Sequence, residues 1–155
     1  MQTRRSIPTL ATITSLALAA AALPAAADPA GWDILTSVEL SESVGEDGEW
    51  RAAKVFPEAL RAAAEETFSV TGYYVPIVPE AYTTTFLIVP TPEDCPFCGG
   101  KGGFGTSLEV TTAAPIADMP EGTELTVSGT LELMDDPQTF QSMRLTGARV
   151  TGPTS

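Results

Sequence analysis

The chain has 155 residues, 20 acidic and 8 basic side chains, no histidine, two cysteines and a net charge of −12. So acidic a chain repels nucleic acid and anionic lipid surfaces, and the lack of histidine excludes histidine triads along with the usual general base and metal ligand. The length suits one core of ordinary size and is short for two.

Residues 1–27 read as a cleaved export signal. Arg4 and Arg5 form a basic start, Ile7 to Leu23 is apolar, and Ala25-Ala26-Ala27 offers small residues at a cleavage site. Pro8 interrupts the apolar run and Thr9, Thr12, Thr14 and Ser15 thin it, so no membrane span is expected after cleavage. No cysteine follows the run to accept a lipid. Thr3-Arg4-Arg5-Ser6-Ile7 carries the paired arginines of a twin-arginine signal, but that pair is also common in ordinary signals. Cleavage would leave residues 28–155 as a single domain in the periplasm. Arg4 and Arg5 are the only charged residues of the signal, so the charge would fall from −12 to −14.

At the mature start, Gly31-Trp32-Asp33-Ile34-Leu35 is expected to dock on a core as a capping segment. Ser41 to Glu49 (SESVGEDGE) has four acids, two glycines and one apolar residue, and is expected to be an exposed, flexible acidic loop. Pro57 followed by alanine-rich Glu58 to Glu66 predicts a helix of two or three turns. From Phe68 the pattern turns strand-like. Phe68, Val70, Gly72 and Tyr74 alternate with polar residues, and Pro76 and Pro79 confine the stretch from Val75 to Val78 to an edge or strand end. Thr83 to Val89 reads as a strand buried on both faces. Leu108 and Val110 mark another strand, and Leu125 to Leu133 has the cleanest period-two alternation in the chain. In the last strand Met143 and Leu145 fall on one phase and Ala148 and Val150 on the other, so a β-bulge is expected at Thr146-Gly147. The fold class is mainly β. Five strands, one short helix and a bulge predict a small OB-like barrel, because closure removes exposed edges.

The chemically distinctive feature is Asp94-Cys95-Pro96-Phe97-Cys98-Gly99. In an oxidising compartment Cys95 and Cys98 can form a disulfide, although so short a loop gains little stabilisation from chain entropy. Thiol–disulfide exchange is a second chemistry, with Cys95 attacking and Cys98 resolving. Lys101 would favour a thiolate, but the glycines from Gly99 onward are poor helix formers and supply no helix start. The third chemistry is metal binding. Cys-Pro-x-Cys-Gly resembles one zinc-ribbon knuckle, which brings two of the four ligands Zn needs; Asp94, another carboxylate or a second molecule would have to complete the site. Two thiolates suit Cu(I) more easily, and Met119, Met134 and Met143 are the other soft ligands of the mature chain, although strand methionines are more often core filler.

Gly100 to Gly105 matches a G-x-G-x-x-G pattern, but Thr106 to Thr111 reads as a strand where a nucleotide site would need a helix. Asp135-Asp136 before Pro137 reads as turn chemistry rather than an acid–base pair, and no catalytic residue is assigned. Trp32, Trp50, Tyr73, Tyr74, Tyr82 and Phe97 could line a groove or fill the barrel.

Trp32-Asp33-x-Leu35, Gly72-Tyr73-Tyr74-Val75-Pro76-Ile77, Phe86 to Pro90 followed shortly by Cys95, and the Leu125 to Leu131 strand resemble the bacterial exported domain-of-unknown-function family 3299 over roughly residues 31–150. The resemblance implies a periplasmic OB-like domain, with neighbouring transport genes in some members that point to metal or envelope traffic. In many members the cysteine is followed closely by histidine and prolines, whereas Pro96-Phe97-Cys98 and glycines stand here, so Cys95 alone carries over. The expectation is therefore a non-enzymatic binding or accessory protein, with an envelope protein or transporter component as partner and no nucleic acid. Cys95 and Cys98 would be its site, holding a disulfide, Zn or Cu(I). A thiol–disulfide oxidoreductase and a purely structural domain with a disulfide staple are the alternatives.

Overall fold

A computed structural model describes residues 29–93 and 107–151; residues 1–27, where an export signal was expected, and Cys95 and Cys98 lie outside them. The described chain runs α1 (Pro29–Leu35), β1 (Glu39–Val44), β2 (Trp50–Val55), α2 (Glu58–Glu65), β3 (Thr67–Pro76), β4 (Tyr82–Val89), β5 (Leu108–Ala117), β6 (Glu124–Leu133) and β7 (Met143–Thr151). The five strands expected from Phe68 onward are the five that close, in the order β3-β4-β5-β7-β6, with β6 returning to β3. β5 and β7 run parallel and every other neighbouring pair is antiparallel, which is the arrangement of an OB-like barrel.

Period-two alternation places the core. Phe68, Val70 and Tyr74 of β3, Phe86 and Ile88 of β4, Leu108 and Val110 of β5, Leu125, Val127 and Leu131 of β6, and Met143, Leu145 and Ala148 of β7 form one buried cluster. β4 is not buried on both faces throughout: Phe86 and Ile88 are buried in the core, while on the outer side Thr85 and Leu87 are half-buried and Val89 alone is buried. The outward residues of a barrel strand stay at the surface unless another element covers them.

Closure relies on two irregularities. In β3, Thr67 to Tyr73 pair with β6 and Tyr73 to Pro76 with β4, so the strand changes partner at Tyr73. The second is the bulge expected in β7. Ser128 pairs with Arg149 but Thr130 with Thr146, so Gly129 alone faces Gly147 and Ala148. Gly147 has φ +58°, and a Cβ on Gly129 would lie 2.7 Å from the Thr146 carbonyl oxygen.

Two helices precede the barrel where one was expected. α2 follows Pro57, whose carbonyl accepts from the Leu60 and Arg61 amides at 3.1 Å each, and it buries Leu60. The Trp32 segment is α1, and it does dock on the core. Trp32 and Leu35 are buried, and the indole Nε1 donates to the Thr71 carbonyl at 2.7 Å, just beyond the stretch of β3 that β4 covers. Thr36 and Ser37 turn the chain out of α1 through hydroxyl bonds to the Trp32 and Ile34 carbonyls.

Residues 41–49 are not simply a loop. β1 and β2 form an antiparallel hairpin in register from Glu39 opposite Val55 to Val44 opposite Trp50, and only the tip from Gly45 to Glu49 is a turn. The tip is closed by the Gly45 amide on the Glu49 carbonyl and by Gly48 at φ +79°. Its ordering does not come from burying β1, which is almost wholly exposed, but from β2, whose Ala52 amide and Lys54 ammonium dock on the β6–β7 loop.

An added Cβ at Gly72 would lie 2.8 Å from the Val89 carbonyl oxygen and 2.9 Å from Trp32 Cζ2. Gly72→Ala should therefore cost about 1–3 kcal/mol, and Trp32→Phe, which leaves the Thr71 carbonyl without its donor, about 1–3 kcal/mol. Urea unfolding followed by circular dichroism measures both, with exposed Ser69→Ala as the near-neutral control.

Candidate functional site

In OB barrels ligands meet the outer face of the second and third strands and the loops beside it. Here those strands are β4 and β5, and the corresponding loops are β3–β4 (residues 77–81) and β6–β7 (residues 134–142). The register lays one row of outward residues across all five strands: Val75 opposite Leu87, Leu87 opposite Glu109, Glu109 opposite Arg144, and Arg144 opposite Glu132. The row passes from apolar to charged. Arg144 stands between two carboxylates and donates from Nε to Glu132 at 2.7 Å, while Thr146 donates to the other Glu132 oxygen at 3.1 Å. Arg144 and then Thr146 hold the Glu132 carboxyl below the usual glutamate range. Thr85 opposite Thr111 adds hydroxyls to this face.

The β3–β4 loop is apolar and open. Ile77, Val78 and nearby Tyr82 are 44%, 56% and 66% exposed. Tyr74, shortly before it in β3, points inward, packs against Phe86 with ring centroids 5.1 Å apart and donates its hydroxyl to Asp118 at 2.5 Å. Burial first, and then Asp118, raises the Tyr74 pKa, so its proton stays in place through the physiological range.

The β6–β7 loop is held by the hairpin. Lys54 of β2 donates to three carbonyls, Met134 at 3.0 Å, Asp136 at 2.8 Å and Gln141 at 2.6 Å. Three simultaneous donors require the ammonium form. Burial lowers the Lys54 pKa, and Asp136 and Asp135 act in the opposite direction. The Ala52 amide donates to the Pro137 carbonyl at 2.8 Å, and the Met134 amide to Ser142 at 2.8 Å. Trp50, at the start of β2, stacks obliquely on Phe140 of the loop with ring centroids 4.2 Å apart and an interplanar angle of 57°. Its Nε1 donates to Glu42 at 3.0 Å. At the hairpin tip Arg51 pairs with Asp47, which keeps that carboxyl below the usual range.

The expected site residues Cys95 and Cys98, with Asp94, Phe97 and Lys101, lie outside the described residues. The strands fix where their segment attaches: it joins the end of β4 to the start of β5, Ile88 opposite Leu108, at the barrel end that also carries the β6–β7 loop. The methionines are not gathered. Met143 is core, Met119 packs against the core from the β5–β6 loop at the other end, and Met134 lies in the loop bound by Lys54. Asp136 does turn chemistry as expected, accepting from the Gln138 amide at 2.8 Å. The aromatic set divides into interior Trp32 and Tyr74 and outward Trp50, Tyr73 and Tyr82. Among the described residues no group of three or more acidic or cysteine side chains is arranged to hold a metal ion, and no helix is long and apolar enough to cross a membrane. Sequence reasoning missed Lys54 and Phe140, whose roles depend on contacts between residues eighty or more positions apart along the chain.

No family model, curated protein or solved structure matches the chain.

Replacing Lys54 with Met removes a cation from three carbonyls and should cost about 2 kcal/mol, with faster hydrogen exchange at the Ala52 and Met134 amides before any change in the barrel strands. Glu132, whose folded pKa is depressed, contributes stability that is complete above the unfolded glutamate pKa and is lost as pH falls through the folded one. Its ion pair is about 40% exposed at both ends, so the loss is a few tenths of a kcal/mol. Acid titration of Arg144→Gln should be flatter than that of the wild type by that amount.

Proposed function

We propose that this chain is an exported, non-enzymatic binding or accessory module of the bacterial envelope, acting in the periplasm. The observation that carries the reading is the OB-like barrel itself. Its interior is filled by Tyr74, Phe86, Ile88, Val110, Val127 and Leu145, so a ligand has to be met on the outer face and loops. The net charge of −12 disfavours the nucleic acids that many such barrels bind. The signal-like residues 1–27 support export, and the resemblance to family 3299 supports an envelope protein or transport component as partner.

Cys95 and Cys98 fit this reading as a pair that holds rather than catalyses, either bridged or on a soft ion such as Zn or Cu(I). The glycines that follow are poor helix formers, which disfavours the helix start that activates the first thiol in exchange catalysts.

Expressed from its full gene in a Gram-negative host and purified from the periplasm without reductant, the protein should begin at Asp28. It should show either no free thiols or one equivalent of metal released by Cys95→Ser. A bridged pair should have a reduction potential below about −300 mV, and the protein should not accelerate insulin reduction by glutathione. Catalytic turnover in that assay, abolished by Cys95→Ser, would replace the binding reading with a thiol–disulfide oxidoreductase.

A further inference from the structure

The β1–β2 hairpin is an addition to the barrel, and it meets the barrel at one of the two loops that border an OB ligand face. Trp50 and Phe140 are both half-buried there, so this aromatic pair is neither core nor free surface. The indole is fixed at its edge by Glu42 Oε2, an acceptor on exposed β1. The Gln138 side chain reaches the Trp50 carbonyl at 3.4 Å, and Asp135 is exposed on the same loop. The loop beneath is made rigid by the three Lys54 bonds and by the Ala52 amide on Pro137.

An aromatic pair with a carboxylate at its edge and an amide beside it is the chemistry that recognises a sugar ring: C–H groups of one sugar face lie on the π system, while an acceptor at the edge takes a hydroxyl proton. A preformed platform loses little entropy on binding. Charge selects among the polymers that OB barrels bind. Glu42, Glu46, Asp47, Glu49, Asp135 and Asp136 crowd this end of the molecule, with Arg51 paired to Asp47 and Lys54 occupied by carbonyls. Oligonucleotides and uronate sugars would bring like charge to that surface.

We propose that Trp50, Phe140 and Glu42 form a subsite for a neutral oligosaccharide, with Trp50 as the stacking residue and Glu42 as both its orienter and a hydroxyl acceptor. The subsite deepens the binding-module reading and rests on it.

The chain's two tryptophans make the test direct, because Trp32 is 7% exposed and reports the fold while Trp50 reports the surface. Mature protein is titrated with tetramers of β-1,4-linked N-acetylglucosamine and of β-1,4-linked glucose, followed by tryptophan emission, with a uronate tetramer and an oligothymidylate as charged comparators. At least one neutral tetramer should give a saturable change, and the charged ones none. Phe140→Ala should weaken binding by about tenfold, and Trp50→Ala should abolish it while the Trp32 emission of folded protein persists. Glu42→Gln, which keeps an acceptor for the indole, should weaken binding without loosening the hairpin. Neutral tetramers that leave the emission unchanged up to millimolar concentration, or an affinity that survives Trp50→Ala, overturn the proposal. The insulin assay reads the cysteines and this titration reads Trp50, so a failure of the subsite is distinguishable from a failure of the binding-module reading.

Discussion

The fold depends on the bend in β3. A five-stranded sheet closes only if one strand serves both edges, and β3 does so by pairing with β6 through Thr67–Tyr73 and with β4 through Tyr73–Pro76. At the changeover a side chain at position 72 would strike both the Val89 carbonyl and the Trp32 indole, so glycine is required by space rather than by backbone angle. Before the bend, β3 has lost β4 as a neighbour, and Trp32 supplies the missing donor to Thr71. α1 is thus part of the barrel's closure, although it precedes the first barrel strand by some thirty residues. The second seam, where β7 bulges opposite Gly129, follows the same logic: the strand that runs parallel to β5 and antiparallel to β6 needs one extra residue to keep both registers.

The two ends of the barrel are finished by different chemistry. Toward the β3–β4 loop, the Tyr74 hydroxyl on Asp118, the Tyr74 amide on Thr123 and the Gly122 amide on the Tyr74 carbonyl tie the β5–β6 turn to β3. At the other end α1 and α2 cover the core and the hairpin clamps the β6–β7 loop. That clamp runs through one ammonium. Lys54 works there as a bound cation would, drawing three carbonyls toward one point in a chain otherwise dominated by negative charge.

How much the sequence made legible depends on how local each signal is. The five barrel strands were readable because period-two burial is written in neighbouring residues, α2 because Pro57 precedes an alanine-rich run, and the bulge because Gly147 sits where the phase slips. The β1–β2 hairpin was not, since Glu39–Val44 carries no buried face of its own and takes its order from Ala52, Lys54 and Trp50 docking on a loop eighty residues later. Thr83–Val89 was read as buried on both faces, whereas on its outer side only Val89 is buried and Leu87, though apolar, lies half-buried in the row beside Glu109. For the site, the sequence drew attention to Cys95 and Cys98, whose chemistry is local, and gave no sign that Trp50 and Phe140 would meet.

The division of the aromatic residues shows where stability and recognition part company. Trp32, Tyr74, Phe68 and Phe86 are interior, and each polar side-chain atom of Trp32 and Tyr74 is satisfied within the fold. Trp50 is different. Its Nε1 is bonded to a carboxylate on an exposed strand, and its ring rests on a loop residue rather than on the core. A stacking pair that served only to hold the hairpin would gain more from full burial, as Ala52 beside it achieves. Lys54 and the Ala52 amide already bind the loop, so the aromatic pair is left half-buried with a rigid frame beneath it. That is the arrangement a surface recognition site requires, and it puts the proposed subsite on the added hairpin rather than on the barrel wall.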